Sequence, residues 1–156
     1  MNIEICQMAR FIPEVVTLIN QLDAYQSALY PAENNHAEPI EYLAQIKTYI
    51  YVAKWDDRIV RCAILVLPRD SAPEVKRVFV TPDYRGHGIA SLLMAALIDK
   101  ANVLKLKEIH LETGVLQPEA ISLYQQLGFE LTAQFGHDAY DPLSVLIVKN
   151  YIPTAK

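Results

Sequence analysis

The sequence predicts an α/β sandwich: a mixed, mostly antiparallel twisted sheet of six to seven strands flanked by about four helices. Three observations predict it. Apolar residues recur at helical spacing in two separate stretches, 11–29 and 89–101. Between them, three β-branched or apolar runs (48–54, 59–67 and 74–81) are joined by short polar turns, the signature of an antiparallel meander. The whole order, β, α, α, three strands, then α, β, α, β, β, lacks the strict alternation of a doubly wound parallel sheet.

Each element has its own warrant. Asn2 to Met8 alternates as an edge strand does, with Ile3 and Ile5 against Glu4 and Cys6. Phe11, Val15, Leu18, Leu22, Tyr25 and Leu29 form one helical stripe, which stops at Tyr30-Pro31 because proline disfavours the helical region for the residue before it. Ala32 to Pro39 reads as loop and Ile40 to Ile46 as a short second helix. Trp55 to Arg58 is a turn, Ile59 to Leu67 is long and apolar enough for a central strand, and Glu74 to Thr81 is a valine-rich strand ending before Pro82. Ile89, Leu92, Leu93, Ala96 and Leu97 then mark a helix to about Ala101. A strand over Lys107 to Glu112 and a helix from Pro118 to Leu127 follow, the helix closed by Gly128. Phe129 to Ala133 and Leu143 to Lys149 close the chain as a hairpin with a long tip.

Composition sets the outer limits. The 156 residues are one domain's worth of chain, read as a single domain over 1–156, with enough apolar material (52%) for a core without disulfide or metal staples. A charged fraction of 21% excludes a wholly disordered chain, and no run approaches the length of a membrane span. The first ten residues lack a signal peptide's basic start and apolar stretch. A net charge of -4 argues against a protein held by nucleic-acid phosphates. Cys6 and Cys62 sit in strand-like segments with no CxxC spacing and read as buried, reduced thiols, which gives a cytoplasmic address weak support. His36 and His110 make no metal spacing with any cysteine or carboxylate, so no metal is expected.

Chemistry concentrates in Val78 to Ala90, where a strand enters a glycine-bearing turn and passes straight into a helix. A helix N-terminus exposes unpaired N–H groups and partial positive charge, and glycine lets an anion approach the backbone. The segment is neither a Walker loop, since the Gly-Lys-Ser/Thr end is missing, nor a dinucleotide GxGxxG, since the spacing differs. Arg85-Gly86-His87-Gly88-Ile89-Ala90 spells Arg-x-x-Gly-x-Ala, which resembles the acetyl-CoA signature of the GCN5-related N-acetyltransferases (GNAT). Ala120 to Phe129, with Tyr124 and Gly128, resembles the downstream motif of the same family at its usual separation. Leu22-Asp23-Ala24-Tyr25, Leu29-Tyr30-Pro31, Asn35-His36 and Leu111-Glu112-Thr113-Gly114 resemble a bacterial subgroup often labelled indole-acetate acetyltransferases.

The resemblance implies a site. The amides of Arg85, Gly86, His87, Gly88, Ile89 and Ala90, with Ser91 at the edge, would hold the pyrophosphate of acetyl-CoA. Val78 and Val80 would pair with the pantetheine arm through their backbones, Phe79 would wall the pocket, and Gln117 stands where many members carry asparagine. His87 occupies a variable position, so its side chain reads as solvent-facing. Tyr124 matches the family's general acid, which protonates the departing thiolate; Glu74 matches a catalytic glutamate, and Glu112 is the second candidate base. Each has a plainer reading, Tyr124 as helical core and Glu74 as a carboxylate paired with Lys76 or Arg77. Asp23, Tyr25, Tyr30 and His36 are the candidate acceptor contacts, with the 134–142 loop a second wall.

The implied activity is direct acetyl transfer from acetyl-CoA to a primary amine of a small molecule or peptide, through a ternary complex. The alternative is a non-catalytic acyl-CoA-binding regulatory module. No nucleic acid or membrane partner is expected; a homodimer is, through the first helices or the last strands, although the run Leu143 to Val148 fits an internal strand equally well.

Overall fold

The structure, a computed structural model, describes residues 2–29, 39–78, 88–114, 118–131 and 144–150. The elements in chain order are β1 (Ile3–Met8), α1 (Pro13–Leu29), α2 (Ile40–Leu43), β2 (Lys47–Trp55), β3 (Arg58–Leu67), β4 (Glu74–Lys76), α3 (Ile89–Val103), β5 (Glu108–Gly114), α4 (Pro118–Gln126), β6 (Glu130–Leu131) and β7 (Ser144–Asn150). Among the described residues the sheet runs β1-β2-β3-β4-β5-β7-β6. Every neighbouring pair is antiparallel except β4 and β5. This is the α/β, mostly antiparallel architecture that the sequence predicts.

The β2–β3 hairpin shows how local chemistry sets register. Asp56 and Asp57 both take positive φ, 49° and 71°, the backbone of a two-residue hairpin turn whose twist suits the strands. Trp55 then faces Arg58 across the ladder. The Asp56 carboxylate also accepts a hydrogen bond from the Asn2 N–H at 2.9 Å, tying the start of β1 to the turn. The register slips once, between Ala53 and Lys54, so Val60 and Arg61 sit at an irregularity and Arg61 is carried into the interior with its polar partners.

Alternation along β2 and β3 builds two cores, one on each face. Ile50, Val52, Cys62, Ile64 and Val66 pack with Val15, Ile19 and Leu22 of α1 and with Leu43. Tyr51, Ala53, Ala63 and Leu65 pack with Ile89, Leu93, Met94, Leu97 and Ala101 of α3. Fully burying each such aliphatic side chain contributes roughly 1.5–3 kcal/mol, so both helices are held by packing rather than by intrinsic propensity.

The stripes differ in detail from those predicted. Helix α1 begins at Pro13, whose missing N–H is harmless in a first turn, and Ile19 is fully buried although it lies outside the expected stripe. In α3, Leu92 is 45% exposed, and Ala90 and Met94 take inward positions. Helix α2 ends at Leu43 instead of Ile46, because the chain tightens into bonds from Gln45 N–H to the Tyr42 carbonyl and from Ile46 N–H to the Leu43 carbonyl. The last apolar run enters the sheet as β7, between β5 and β6, so among the described strands it is internal, with β6 pairing along two of its residues.

Candidate active site

The parallel pair positions the site. Among the described residues β4 and β5 are in register at two places, Glu74 opposite His110 and Val75 opposite Leu111, and their pairing ends there. β5 continues through Glu112, Thr113 and Gly114, paired with Leu146, Val145 and Ser144 of β7. β4 stops at Lys76, because Arg77 adopts φ 61°, a left-handed conformation that costs a non-glycine residue on the order of 1–2 kcal/mol. The expected strand Glu74 to Thr81 is thus broken at Arg77, with Glu74–Lys76 as its described part and Val78 past that end; Phe79 to Thr81 lie outside the described residues. What holds the distortion is an ion pair. Arg77 Nε lies 3.1 Å from Asp23 Oδ1 of α1, with the arginine side chain only 8% exposed. The pair is close without being well aligned as a hydrogen bond, and Arg77 has further partners.

A strand end beside a gap in a sheet, followed by a helix N-terminus, is where α/β proteins take ligands. Gly88 is the N-cap of α3 at φ 72°, with no side chain to close the first turn. A Cβ built there meets nothing within 4 Å, so the position is open, and the left-handed φ is what requires glycine. No acidic residue occupies the first turn of α3. Ile89 and Ala90 are buried and anchor that turn to the core, while Ser91 is half-buried. The helix end is fixed, uncapped by a side chain and favourable to an anion.

Tyr124 approaches the same place from α4. Gly128 takes φ 97° and its N–H bonds the Gln125 carbonyl, while the Phe129 N–H reaches back to the Tyr124 carbonyl at 3.0 Å. This closing motif brings the Phe129 ring edge-on to Tyr124, with centroids 5.9 Å apart at 63°. Tyr124 is 1% exposed and shares its cluster with Val75, Leu111 and Ile89, the residues at the base of the gap and at the start of α3. Burial pushes its phenol well above the ordinary tyrosine range. It is a protonated group in an apolar wall, and the plainer reading as helical core is met as well.

The other face of the sheet carries charge. Val75 points into the α3 cluster, so Glu74 and Lys76 lie on the α1 side, in register with the buried Val66 and Ile64. The Glu74 carboxylate is 3.3 Å from Lys76 Nζ, the pairing that was the alternative to a catalytic role. Asp23 is engaged with Arg77. Burial raises its carboxyl above the usual range, and the arginine charge partly offsets this. Tyr25 is half-buried against the α1 core and has a partner. Glu112 holds a β5 position one residue beyond the last pair with β4. The structure thus gathers Tyr124, Val75 and Ile89 in one buried cluster, with Gly88 and Ala90 beside Ile89 at the start of α3, and places Glu74 on the other face of β4. Phe79, Val80, Arg85, Gly86, His87, Gln117, Tyr30 and His36 lie outside the described residues.

Sequence reasoning passed over the role of Arg77. Its signal was the pair Lys76-Arg77 inside a valine-rich strand, which breaks alternation where the strand breaks. Cys62 is buried, as expected, with its thiol 3.9 Å from the Arg77 carbonyl and pushed up to about 12 by burial. Cys6 is a correction: on the edge strand it is only half-buried. Both thiols are free. An aromatic disulfide reagent is expected to titrate Cys6 and not Cys62 in the native protein, and both after unfolding. The stabilisation that comes from keeping Cys62 neutral is complete below pH 9 and is lost as pH rises toward 12. A native protein that reacts rapidly at two thiols would contradict this placement.

Among the described residues, no helix is long and apolar enough to cross a membrane, and no group of three or more histidine, cysteine, aspartate or glutamate side chains is arranged to hold a metal.

Known proteins resemble this chain in sequence and in fold. Residues 19–129 match the family described as Acetyltransferase (GNAT) family. The chain is 36% identical over 149 residues to an IAA acetyltransferase of Azospirillum brasilense, covering 95% of this chain and 97% of that one. A Klebsiella pneumoniae structure provisionally described as an acyl-CoA N-acyltransferase superposes with a TM-score of 0.77 at 30% identity, covering 95% and 97% of the two chains. A GNAT family acetyltransferase from Elizabethkingia anophelis, solved with acetyl-CoA bound, superposes with a TM-score of 0.69 at 20% identity over 96% and 99% and shares the fold. With the family matched from α1 to the end of α4, across both strands that border the gap, this chain belongs to the GNAT family and is an acetyl-CoA-dependent N-acetyltransferase.

Proposed function

We propose that the enzyme transfers acetyl directly from acetyl-CoA to a primary amine of a small molecule or peptide, with both substrates bound together and no acetyl-enzyme intermediate. The observation that carries this reading is the parting of β4 and β5 beside the uncapped end of α3. The first turn of α3, from Gly88 through Ser91, receives the pyrophosphate, and Arg85 to His87 complete that loop. The backbones of Val78 and Val80 pair with the pantetheine arm, Phe79 walls it, and Gln117 borders the opposite side. The thioester then lies in the gap, open to both faces of the sheet.

The two faces divide the chemistry. Tyr124, on the α4 side, keeps its proton at working pH and donates to the sulfur as the C–S bond breaks. Glu74, on the α1 side, takes a proton from the ammonium so that the nitrogen lone pair can attack the carbonyl; Glu112 is the alternative base. Transfer through a cysteine is disfavoured, because Cys62 holds its proton tightly. The acceptor enters over α1 past Asp23 and Tyr25, with Tyr30 and His36 in the segment that follows. Carboxylates at Asp23, Glu74 and Glu112 favour a cationic amine over an anionic acceptor. The free thiols accord with a reducing, cytoplasmic setting.

Thermal unfolding tests the donor site. Acetyl-CoA at a hundred times its dissociation constant adds about 2.7 kcal/mol to folding stability, several degrees in midpoint. Gly88→Ala is expected to lower the midpoint of the free protein by the cost of the left-handed φ, about 1 kcal/mol, and to shrink the acetyl-CoA shift. No shift in wild type with acetyl-CoA, CoA or longer acyl-CoAs near a millimolar would overturn the proposed site. A positive shift opens a screen of primary amines by thiol release.

A further inference from the structure

An amine already stands beside the proposed base, and it belongs to the protein. Lys76 Nζ lies 3.3 Å from Oε2 of Glu74, and the two side chains are 12% and 15% exposed. Lys76 is the last residue of β4 and the first past that strand's pairing with β5, which ends at Val75 and Leu111. The same step along β5 arrives at Glu112, so Lys76 and Glu112 flank the gap from its two sides. Val75 points into the α3 cluster, and Lys76 is in register with Ile64, which packs against α1. The lysine stem therefore leaves the sheet on the face over which the acceptor enters. Arg77, next in the chain, turns the backbone at φ 61° and is held to Asp23 at 3.1 Å, which fixes the root of that stem.

We propose that Lys76 is an internal acetyl acceptor: with acetyl-CoA bound and no amine in the site, its Nζ takes the acetyl group. The proposal rests on the reading that places the thioester in the gap between β4 and β5. An acceptor must bring its nitrogen to the Glu74 carboxylate and to the mouth of that gap. Lys76 meets the first condition with its Nζ and the second with its place on the strand. Amine and base sit two residues apart on one strand, so no bimolecular encounter is needed to join them, and such proximity removes a large part of a barrier. The four-carbon stem is flexible enough to swing Nζ from the carboxylate toward the acetyl carbon. The balance is that of the external reaction. The ammonium gives one proton to Glu74, Nζ forms the bond to the acetyl carbon, and the C–S bond breaks with a proton passing to sulfur from Tyr124. The second nitrogen proton is lost to water as the amide forms, and water restores Tyr124 and empties Glu74. Net, the lysine ammonium and acetyl-CoA give Nε-acetyl-lysine, the CoA thiol and one proton.

Burial makes the reaction diagnostic. A thioester in bulk solution reaches exposed lysines first. Lys105 and Lys107 are exposed and lie past the far end of α3, whose fifteen residues span about 22 Å from Gly88. Lys76 is mostly buried, a poor target for a reagent in solution and a good one for a donor held in the gap. Its acetylation would also change the site. A neutral amide replaces the ammonium, so Glu74 loses this cation and the acceptor entrance gains an acetyl group.

The test needs no knowledge of the external amine. The full chain is incubated with acetyl-CoA alone, and intact mass with peptide mapping counts and places the acetyl groups over time. One acetyl group per chain is expected at Lys76. Its rate should saturate with acetyl-CoA, be independent of protein concentration, and exceed that at Lys105 and Lys107 by roughly tenfold or more. Excess CoA should suppress it, and Tyr124→Phe should slow it about a hundredfold. Lys76→Arg, which keeps a cation beside Glu74, should abolish the saturable phase. Lys76 left unmodified while Lys105 and Lys107 gain acetyl groups would overturn the proposal. So would modification of Lys76 that neither excess CoA nor Tyr124→Phe slows, because that is solution chemistry. Thermal unfolding of the same samples separates this proposal from the reading beneath it. A midpoint raised by acetyl-CoA with Lys76 unmodified removes the internal acceptor and leaves the donor site; no shift and no modification remove both. Glu74→Gln is expected to be slow at Lys76, and an unchanged rate there would reassign the base while leaving Lys76 as acceptor.

Discussion

Tyr124→Phe is expected to slow acetyl transfer about a hundredfold, at the lower end of what one positioned proton donor supplies, while leaving stability within about 1 kcal/mol of wild type. The ring keeps its place: the packing with Val75, Leu111 and Ile89 and the edge contact with Phe129 do not involve the hydroxyl. Because burial holds the phenol protonated far above neutral pH, the loss should be uniform from pH 6 to 9, with no new limb in the profile. Tyr124→Ala is the contrasting variant. Emptying a site of this size costs about 3–5 kcal/mol, so urea unfolding should show it clearly. Full activity in Tyr124→Phe, with the stability loss confined to Tyr124→Ala, would leave the residue as core alone.

The second large effect belongs to Arg77. Removing a mostly buried cation from a close pair commonly costs 3–5 kcal/mol; because Asp23 is about a third exposed, the expected loss for Arg77→Ala is lower, about 2 kcal/mol. Arg77→Gly should lose about 1 kcal/mol less than Arg77→Ala, since glycine accepts the left-handed φ that alanine does not. Asp23→Asn should cost less than either. The carboxyl of Asp23 is raised in the folded state by burial, so its favourable linkage is complete at low pH and is lost as pH rises through its folded value. The asparagine variant should therefore show a flatter stability curve across the acidic range above the ordinary carboxylate value. A double-mutant cycle of Asp23→Asn with Arg77→Ala should show coupling. Both arginine variants should weaken the acetyl-CoA shift, because the pair holds open the turn at the end of β4. Additive losses with an unchanged shift would sink the assignment.

Much of this site was legible in the residues because its parts are local. A left-handed Gly128, a helix beginning at Ile89 and an alternating β-branched meander are written within a few positions of themselves. The parting of the sheet was harder to read. Glu74 to Thr81 reads as a continuous strand, and only the carboxylate of Asp23, more than fifty positions earlier, shows why it breaks at Arg77. The addition of Ile19 beside Leu18, and the exchange of Leu92 for Ala90 and Met94, have the same origin: several choices satisfy helical spacing, and the partner surface decides which are buried. That His110 stands beside Glu74 was not legible either, because strand pairing and not sequence makes the two adjacent.

The place of β7 also constrains how the chain assembles. Among the described residues β6 pairs with the sheet only through β7, and β7 pairs with β5. The two residues of β6 therefore emerge in synthesis before β7, but they cannot add to a sheet until the later strand has closed a loop of about thirty residues back to β5. The outer flank is therefore expected to form late in folding, leaving the free side of β5 an unprotected pairing edge until then. Slowing that closure, for example by breaking the apolar run of β7, should favour aggregation during refolding while the β1 to β4 meander still forms.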